Sequence, residues 1–272
     1  MECFYINLEA EEKRRRLLQG NFDQYKDRGW FLTRVAAVDG QRLAARPVQG
    51  TIGDAEKACF LSHRRAIEAS LEAPGHALIV EDDVMFGPSS CTRIDGALAE
   101  RPDSDWDLLF TDVVIPHPPL MAALLHMRRQ LGDKGGQMLL NVNDLHYCGA
   151  TAYVVNAGFK SRLLDLLAIN NLDTPYDLFL RGIISQGFVR ASVVFPFATS
   201  ISYLVDCPQL QKGERVDLFW NAFRRMIWAD RDLEQVAASI RSLGDEMMDA
   251  ESAVFAQIVG NALSTYLPPG KQ

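Results

Sequence analysis

Three consecutive carboxylates, Glu81, Asp82 and Asp83, close the apolar run Ala77–Val80 in the stretch "HALIVEDDVMF". Like charges side by side repel, so something must make them favourable: dispersal in water, pairing with Arg or Lys, or a divalent cation. Oxygen-rich sites suit Mg²⁺ or Mn²⁺, and an ion held there can also take phosphate oxygens. In an extended segment Glu81 and Asp83 share one side and Asp82 faces the other. Two carboxylates on one side would clamp a cation against a nucleotide diphosphate, and the cation would neutralise charge building on a departing diphosphate. A solvated turn and a salt-bridge cluster remain open alternatives. A phosphatase with an aspartyl nucleophile would want Asp-x-Asp-x-Thr, and "EDDVM" has no threonine.

The elements that must position these acids alternate through the first 200 or so residues. "CFYIN" (3–7), "FLTRVAAVDG" (31–40), "ALIVEDDVMF" (77–86), "WDLLFTD" (106–112), "GATAYVVN" (149–156) and "RASVVFPFA" (190–198) read as strands. Between them "EEKRRRLLQGNF", "GDAEKACFLSHRRAIEASLEA" (53–73) and "AGFKSRLLDLLAI" (157–169) read as helices, the second capped by Asp54 and stopped by Pro74-Gly75. This predicts an α/β fold with a largely parallel sheet, whose ligands bind beyond the carboxyl ends of the strands. "PHPP" (116–119) and "LGDKGGQ" (131–137) bracket an expected mobile loop region over the sheet. From Arg215 to Leu267 the pattern turns helical: Phe219, Phe223, Met226 and Ile227 repeat at three and four, as do later apolar sets. That predicts helices packed on the main domain, or a dimerisation or partner-docking element. The "RRMIW" piece within them is a candidate for touching a membrane surface, against which its acidic neighbours argue.

Composition narrows the classes. The 272 residues are 48% hydrophobic and 23% charged, which suits a globular protein with a substantial core. A formal charge of −7 argues against a general nucleic-acid binder. No stretch approaches the roughly 18 to 20 apolar residues of a membrane span. The start "MECFYINLEAEEKRRR" places an acid first and its basic residues after the apolar run, the wrong order for a signal peptide. The five cysteines are widely spaced with no CxxC pair, as expected for reduced thiols of a cytoplasmic protein.

Five pieces in order, "YINLEAEEKRR", "AVDG" (37–40), "CFLSH" (59–63), "LIVEDDV" (78–84) and "GATAYVV" (149–155), together resemble glycosyltransferase family 25. That family includes bacterial lipooligosaccharide galactosyltransferases and collagen hydroxylysine galactosyltransferases, and the resemblance covers residues 3 to 200 or so. It implies a GT-A-like nucleotide-sugar-binding sheet with flanking helices. The helical pattern of the tail, which the resemblance does not cover, then divides the chain into that domain over 1–212 and a helical C-terminal extension over 213–272, packing on it or mediating dimerisation. The resemblance also implies a UDP-sugar donor, Mn²⁺ (or Mg²⁺), and inversion at the anomeric carbon. Glu81 and Asp83 would be the metal ligands, with Asp82 holding the motif or touching ribose or sugar. Asn7 and Leu8 would lie beside the uridine, and Arg14 and Arg15 match the paired arginines after the first strand. "AEKACFLSH" resembles the family's Gly-Glu-x-Gly-Cys-x-x-Ser-His: Glu56, Cys59, Ser62 and His63 are kept, while Ala55 and Ala58 replace glycines. Glu56, Ser62 and His63 would border the donor, His63 alternatively being a hydrogen-bonded core histidine and Cys59 small packing. Ala10 and Glu11 stand where the family carries Arg and Ser, which marks a divergent member.

An inverting transfer needs a base for the acceptor hydroxyl. "DTPYDLFLRGIISQG" (173–187) resembles the family segment with an aspartate at a helix start, which implies Asp177 as base or acceptor-binding group. Its alternative is a first-turn helix charge. Asp112, an extra acid in "FTDVV", is the second catalytic candidate. Tyr153 would pack the sheet or lend its hydroxyl to the sugar, and Asp206 could approach the diphosphate. The reading is a metal-dependent transferase moving a hexose, galactose by family default, onto a hydroxyl of a saccharide, peptide or small molecule, with a possible homodimer through the C-terminal helices. The rivals are a nucleotidyltransferase-like enzyme releasing pyrophosphate, and a degenerate non-catalytic protein that binds nucleotide-sugar or a partner.

Overall fold

A strand covered on both faces needs an apolar side chain at every position, and the runs picked out above have that character. In the computed structural model, which describes residues 1–45, 48–132, 136–202, 216–231 and 254, they become the centre of a three-layer α/β/α domain. The strands are β1 (Glu2–Asn7), β2 (Phe31–Ala36), β3 (Ala77–Glu81), β4 (Val84–Met85), β5 (Leu108–Phe110), β6 (Met138–Asn141), β7 (Ala152–Val155), β8 (Ala191–Phe195) and β9 (Ser200–Ile201). The helices are α1 (Glu12–Tyr25), α2 (Gly40–Ala45), α3 (Asp54–Ala69), α4 (Ser90–Ala99), α5 (Pro118–Gly132), α6 (Lys160–Ala168), α7 (Tyr176–Ser185) and α8 (Val216–Met226).

Seven strands form one sheet in the order β2-β1-β3-β7-β5-β8-β6, and β4 pairs with β9 in a separate ribbon. The expected largely parallel sheet is corrected to a mixed one. β1 pairs parallel with β2 and β3, and β5 with β8, whereas β7 runs antiparallel between β3 and β5, and β6 antiparallel to β8. Apolar runs identify strands without fixing their direction, and β7 returns between two strands that share a direction.

Period-two alternation sorts the core. Phe4, Ile6, Ile79, Phe110, Tyr153, Val193 and Phe195 face the layer built from α3, α6, α7, α5 and α8. Cys3, Tyr5, Leu78, Val80, Leu109, Ala152 and Val194 face the layer of α1 and α4, where Leu18, Phe22, Phe86 and Ile94 pack.

Three further expectations change. α3 begins at Asp54, so its cap is Gly53, whose N–H donates to Glu56 Oε2 at 2.8 Å; Asp54 lies one position too far along to cap. The bracketed loop region is mostly α5, with Met121, Leu124 and Leu125 buried, followed by β6. Pro118 opens that helix, a position where proline's missing N–H costs nothing, so the prolines mark a helix start there. The "RRMIW" residues Arg224, Arg225, Met226, Ile227 and Trp228 are all buried, and a membrane surface cannot reach them in this fold. The helical expectation for 232–253 and for 255–267, like that for Asp206, falls outside the described residues.

Candidate active site

Parallel pairing of β1 with β3 sets Ile6 beside Glu81, and β5, antiparallel to β7, points the same way as β3. Asn7, Glu81 and the Asp112 that follows β5 therefore leave the sheet at one edge. Residues 149–151, which lead into β7, meet them there, and Glu81 N–H donates to Thr151 O at 2.8 Å. β3 stops at Glu81, and Asp82-Asp83 turn the chain into β4. The strand alternation expected to put Glu81 and Asp83 on one side ends there, and the turn sets their orientation instead. Ser202 N–H fixes it by donating to Asp83 O at 2.7 Å.

Arg14, near the start of α1, grips that turn. Its Nε lies 2.9 Å from Asp82 Oδ1 and its Nη2 2.8 Å from Asp83 Oδ2. Asn7, 1% exposed, donates to Asp82 Oδ2 at 2.7 Å and to Glu11 O at 3.1 Å, and accepts from Arg34 Nε at 3.2 Å. Leu8 follows Asn7 and accepts at its carbonyl from Glu11 N–H. Arg15 is turned elsewhere, 3.8 Å from Glu9. The salt-bridge alternative for the acidic triplet is thus realised at Asp82 and Asp83.

His63, 1% exposed on α3, reaches the same edge. Its Nε2 lies 3.1 Å from Glu81 Oε1 and its Nδ1 3.1 Å from the Tyr153 hydroxyl, which is 2.6 Å from that of Tyr176. The imidazole stacks on the Tyr176 ring, 4.1 Å between centroids and 6° from parallel. Cys59 lies one turn earlier, and donor atoms of Cys59, His63 and Glu81 fall within 4.8 Å of one another. Ser62, 2% exposed, is engaged inside the fold: it donates to Ala58 O at 2.6 Å and accepts from Val38 N–H at 2.8 Å. Glu56 closes the start of α3 through Gly53. The structure brings His63 to the acidic turn and gives Ser62 and Glu56 partners in their own backbone.

Residues from later in the chain complete the surroundings. Asp112 is fully buried, and Arg224 on α8 pairs with it, Nε and Nη2 lying 2.7 Å and 2.6 Å from Oδ2. Arg225 donates to Ile201 O at 3.2 Å and Ser202 O at 3.0 Å, fastening β9 and through it the acidic turn. Asp177, in the first turn of α7, accepts from Gly149 N–H at 2.9 Å. Gly149 holds φ +81°, and a Cβ there would lie 3.3 Å from Val114 Cγ2, so this N–H is presented by a backbone that favours glycine.

Electrostatics follow the packing. Burial, then the charge of Glu81, pushes Asp83 up to about 7 against the pull of Arg14. Burial also raises Asp82, offset by Arg14 and Asn7, and raises Asp112, offset by Arg224. Desolvation would raise Glu81 as well, but the hydrogen bond and charge of His63, with Arg224 and Arg14 beyond, carry it below the ordinary carboxylate value. Oδ1 of Asp83 and Oδ1 of Asp112 are buried without a hydrogen-bond partner among the described residues. A carboxyl oxygen left unpaired in a crowded acidic cluster is a group that a hard divalent cation suits, and Asp83 offers one.

Arg224 and Tyr176 escape sequence reading. Arg224 falls beside Phe223 and three before Ile227, within the apolar spacing of α8; a charge inside that stripe is the signal of a buried partner, though not of which acid.

Acids and arginines gathered where strands of a mixed α/β sheet end are what a sugar-transferring enzyme needs to manage a charged donor, and the sheet is that of a GT-A-like glycosyltransferase. The chain belongs to glycosyltransferase family 25 (LPS biosynthesis protein), whose family model matches residues 1–180. No curated protein matches the chain. The match takes in the acidic turn, Arg14, His63, Asp112 and Asp177, and leaves out Ile201, Ser202, Arg224 and Arg225. Among the described residues no helix is long and apolar enough to cross a membrane.

Proposed function

We propose that this glycosyltransferase is metal-dependent and inverting, and moves a hexose, galactose by family default, from a UDP-sugar to a hydroxyl of a saccharide, peptide or small-molecule acceptor. The observation that supports this most is Asp83: a buried carboxyl with one unpartnered oxygen, crowded by Glu81 and Asp82 where β3 ends. Glu81 and Asp83 would hold Mn²⁺ or Mg²⁺. A bound cation there would supply positive charge against the departing diphosphate.

The remaining roles fall to the chain's own groups. Asn7 and Leu8 border the uridine, with Asn7 fixed from behind by Arg34. Asp82, held by Asn7 and Arg14, keeps the turn in shape. Arg224, whose charge already acts on Glu81 and Asp83, faces the charge that develops on the leaving group. Asp177, one oxygen fixed by Gly149 N–H, takes the acceptor proton as the acceptor oxygen bonds to the anomeric carbon and the bond from that carbon to the diphosphate oxygen breaks. Asp112, fully buried and held through Oδ2 by Arg224, serves better as that arginine's anchor than as a base.

One observation favours a second reading. Arg14 already neutralises Asp82 and Asp83 at contact distance, so a guanidinium stands where a cation would act, and the enzyme would then work without metal. Release of UDP from a panel of UDP-sugars with Mn²⁺, Mg²⁺ or EDTA separates the two. Release that needs a divalent cation supports the first reading and EDTA-insensitive release the second. No release with any acceptor, or pyrophosphate release from a nucleoside triphosphate, overturns both.

A further inference from the structure

The imidazole of His63 is built as a metal ligand is built. Its ring is clamped by the Tyr176 stack, its Nδ1 is tied to the Tyr153 hydroxyl, and that hydroxyl is tied in turn to Tyr176. Such outer contacts set tautomer and direction, and with the proton on Nδ1 they leave Nε2 as the free donor. Nε2 points at Glu81 Oε1, 3.1 Å away. Two ligands on one tetrahedral ion, bonded at about 2.0–2.1 Å, stand roughly 3.3 Å apart, so the pair is already spaced for one. Cys59 sits on the same face of α3 one turn before, its sulfur inside the 4.8 Å that spans the three donor atoms. On a tetrahedral ion with a Zn–S bond of about 2.3 Å, sulfur and nitrogen ligands stand roughly 3.5 Å apart, so the three donor atoms need close by no more than about an ångström. Burial, then the charges of Glu81, Asp177 and Asp83, push the Cys59 thiol up, so it gives up its proton only to a bound cation, which those same negative charges attract.

We propose that Cys59, His63 and Glu81 form a thiolate–imidazole–carboxylate site for a borderline-soft divalent cation of the zinc class, with a fourth position open. Its donors differ from the all-oxygen set that suits Mn²⁺ or Mg²⁺, so the two kinds of ion are sorted by chemistry, although both use Glu81. Binding releases the Cys59 thiol proton to solvent, and the cation takes the place of the hydrogen bond from His63 Nε2 to Glu81, the imidazole proton moving to Nδ1, where the Tyr153 hydroxyl accepts it. Occupied, the site removes Glu81 from the hard cation, which makes zinc an inhibitor of transfer. That consequence rests on the proposed function, whereas the site itself does not.

Titration of the reduced, full-length chain with Co²⁺ reads the site directly, because a thiolate bound to Co²⁺ gives a charge-transfer absorption. The expected result is one equivalent of Co²⁺ with that absorption, displaced by Zn²⁺, lost in Cys59→Ser and kept in Asp83→Asn. Tyr153→Phe, which removes only the partner of Nδ1, should weaken the affinity about tenfold or more. Absence of the absorption in the parent chain, or its persistence in Cys59→Ser, overturns the site. If the Cys59-dependent absorption is present while no UDP-sugar is ever turned over, the proposed function fails and the zinc-class site stands.

Discussion

At the scale of single residues the account turns on Asp83. Its folded pKa of about 7 lies above the ordinary carboxylate value near 4 because burial, then Glu81, disfavours its charge. The unfolded chain gives up that proton first, so this group's contribution to stability is full below about pH 4 and is lost as pH rises through about 7. Asp83→Asn does not titrate. Its melting temperature should therefore gain on the parent's between pH 4 and 7, by about 1 kcal/mol or more, some 2–4 °C, in scanning calorimetry without metal. A constant difference across that range would contradict the assignment. Cation affinity should rise about tenfold per pH unit up to about 7 and then level, since the ion competes with the proton. Asp177 makes a second residue-scale case. Asp177→Asn can still accept from Gly149 N–H, so its stability should stay within about 1 kcal/mol of the parent while kcat falls by about 10²–10⁴. A merely structural first-turn carboxylate would leave kcat unchanged.

At the scale of elements, α8 is tied to the site by the buried Asp112–Arg224 ion pair and by the hydrogen bonds of Arg225 to Ile201 O and Ser202 O. Arg224→Met leaves Asp112 charged and unpaired in the core, which should cost about 3–5 kcal/mol in urea unfolding. Changing both partners, Asp112→Leu with Arg224→Met, should restore most of that stability. The repaired protein should remain slower than the parent by about 10²–10³ if the guanidinium acts on the leaving diphosphate. Full activity in the double variant would reduce Arg224 to a strut. The sequence made the acidic turn legible because three carboxylates after an apolar run have few stable fates, and it placed Asp177 at a helix start, where α7 begins. It could not make Arg224 legible. The Asp112 pairing spans 112 residues, and nothing local to either partner names the other. Strand direction was hidden for a similar reason. β7 carries the same both-faces apolar run as β3, and only the register, from Ala77 opposite Val155 to Val80 opposite Ala152, shows that it runs back. α5 was hidden by its prolines, which signal a turn and a helix start alike.

At the scale of the whole molecule, the family match ends at residue 180, yet the core does not. Phe223, Met226 and Ile227 lie in the same apolar cluster as Phe110, Tyr153 and Phe195. Fully burying a side chain of this size is worth about 1.5–3 kcal/mol, so the three together rival the stability of an ordinary domain, about 5–15 kcal/mol. A chain ending at residue 212 should therefore be insoluble or melt without a cooperative transition, and a soluble, cooperatively melting fragment would contradict this packing. The same joining of distant parts underlies the central claim, that the turn after β3 holds a cation and a UDP-sugar together. Titration calorimetry of UDP-galactose into the full chain, with Mn²⁺ and with EDTA, beside Asp83→Asn, tests it most directly. The account predicts saturable binding that needs Mn²⁺ and weakens at least tenfold in the variant. Binding of equal strength in EDTA and in Asp83→Asn would contradict it and leave Arg14 as the cation that the acids were placed to meet.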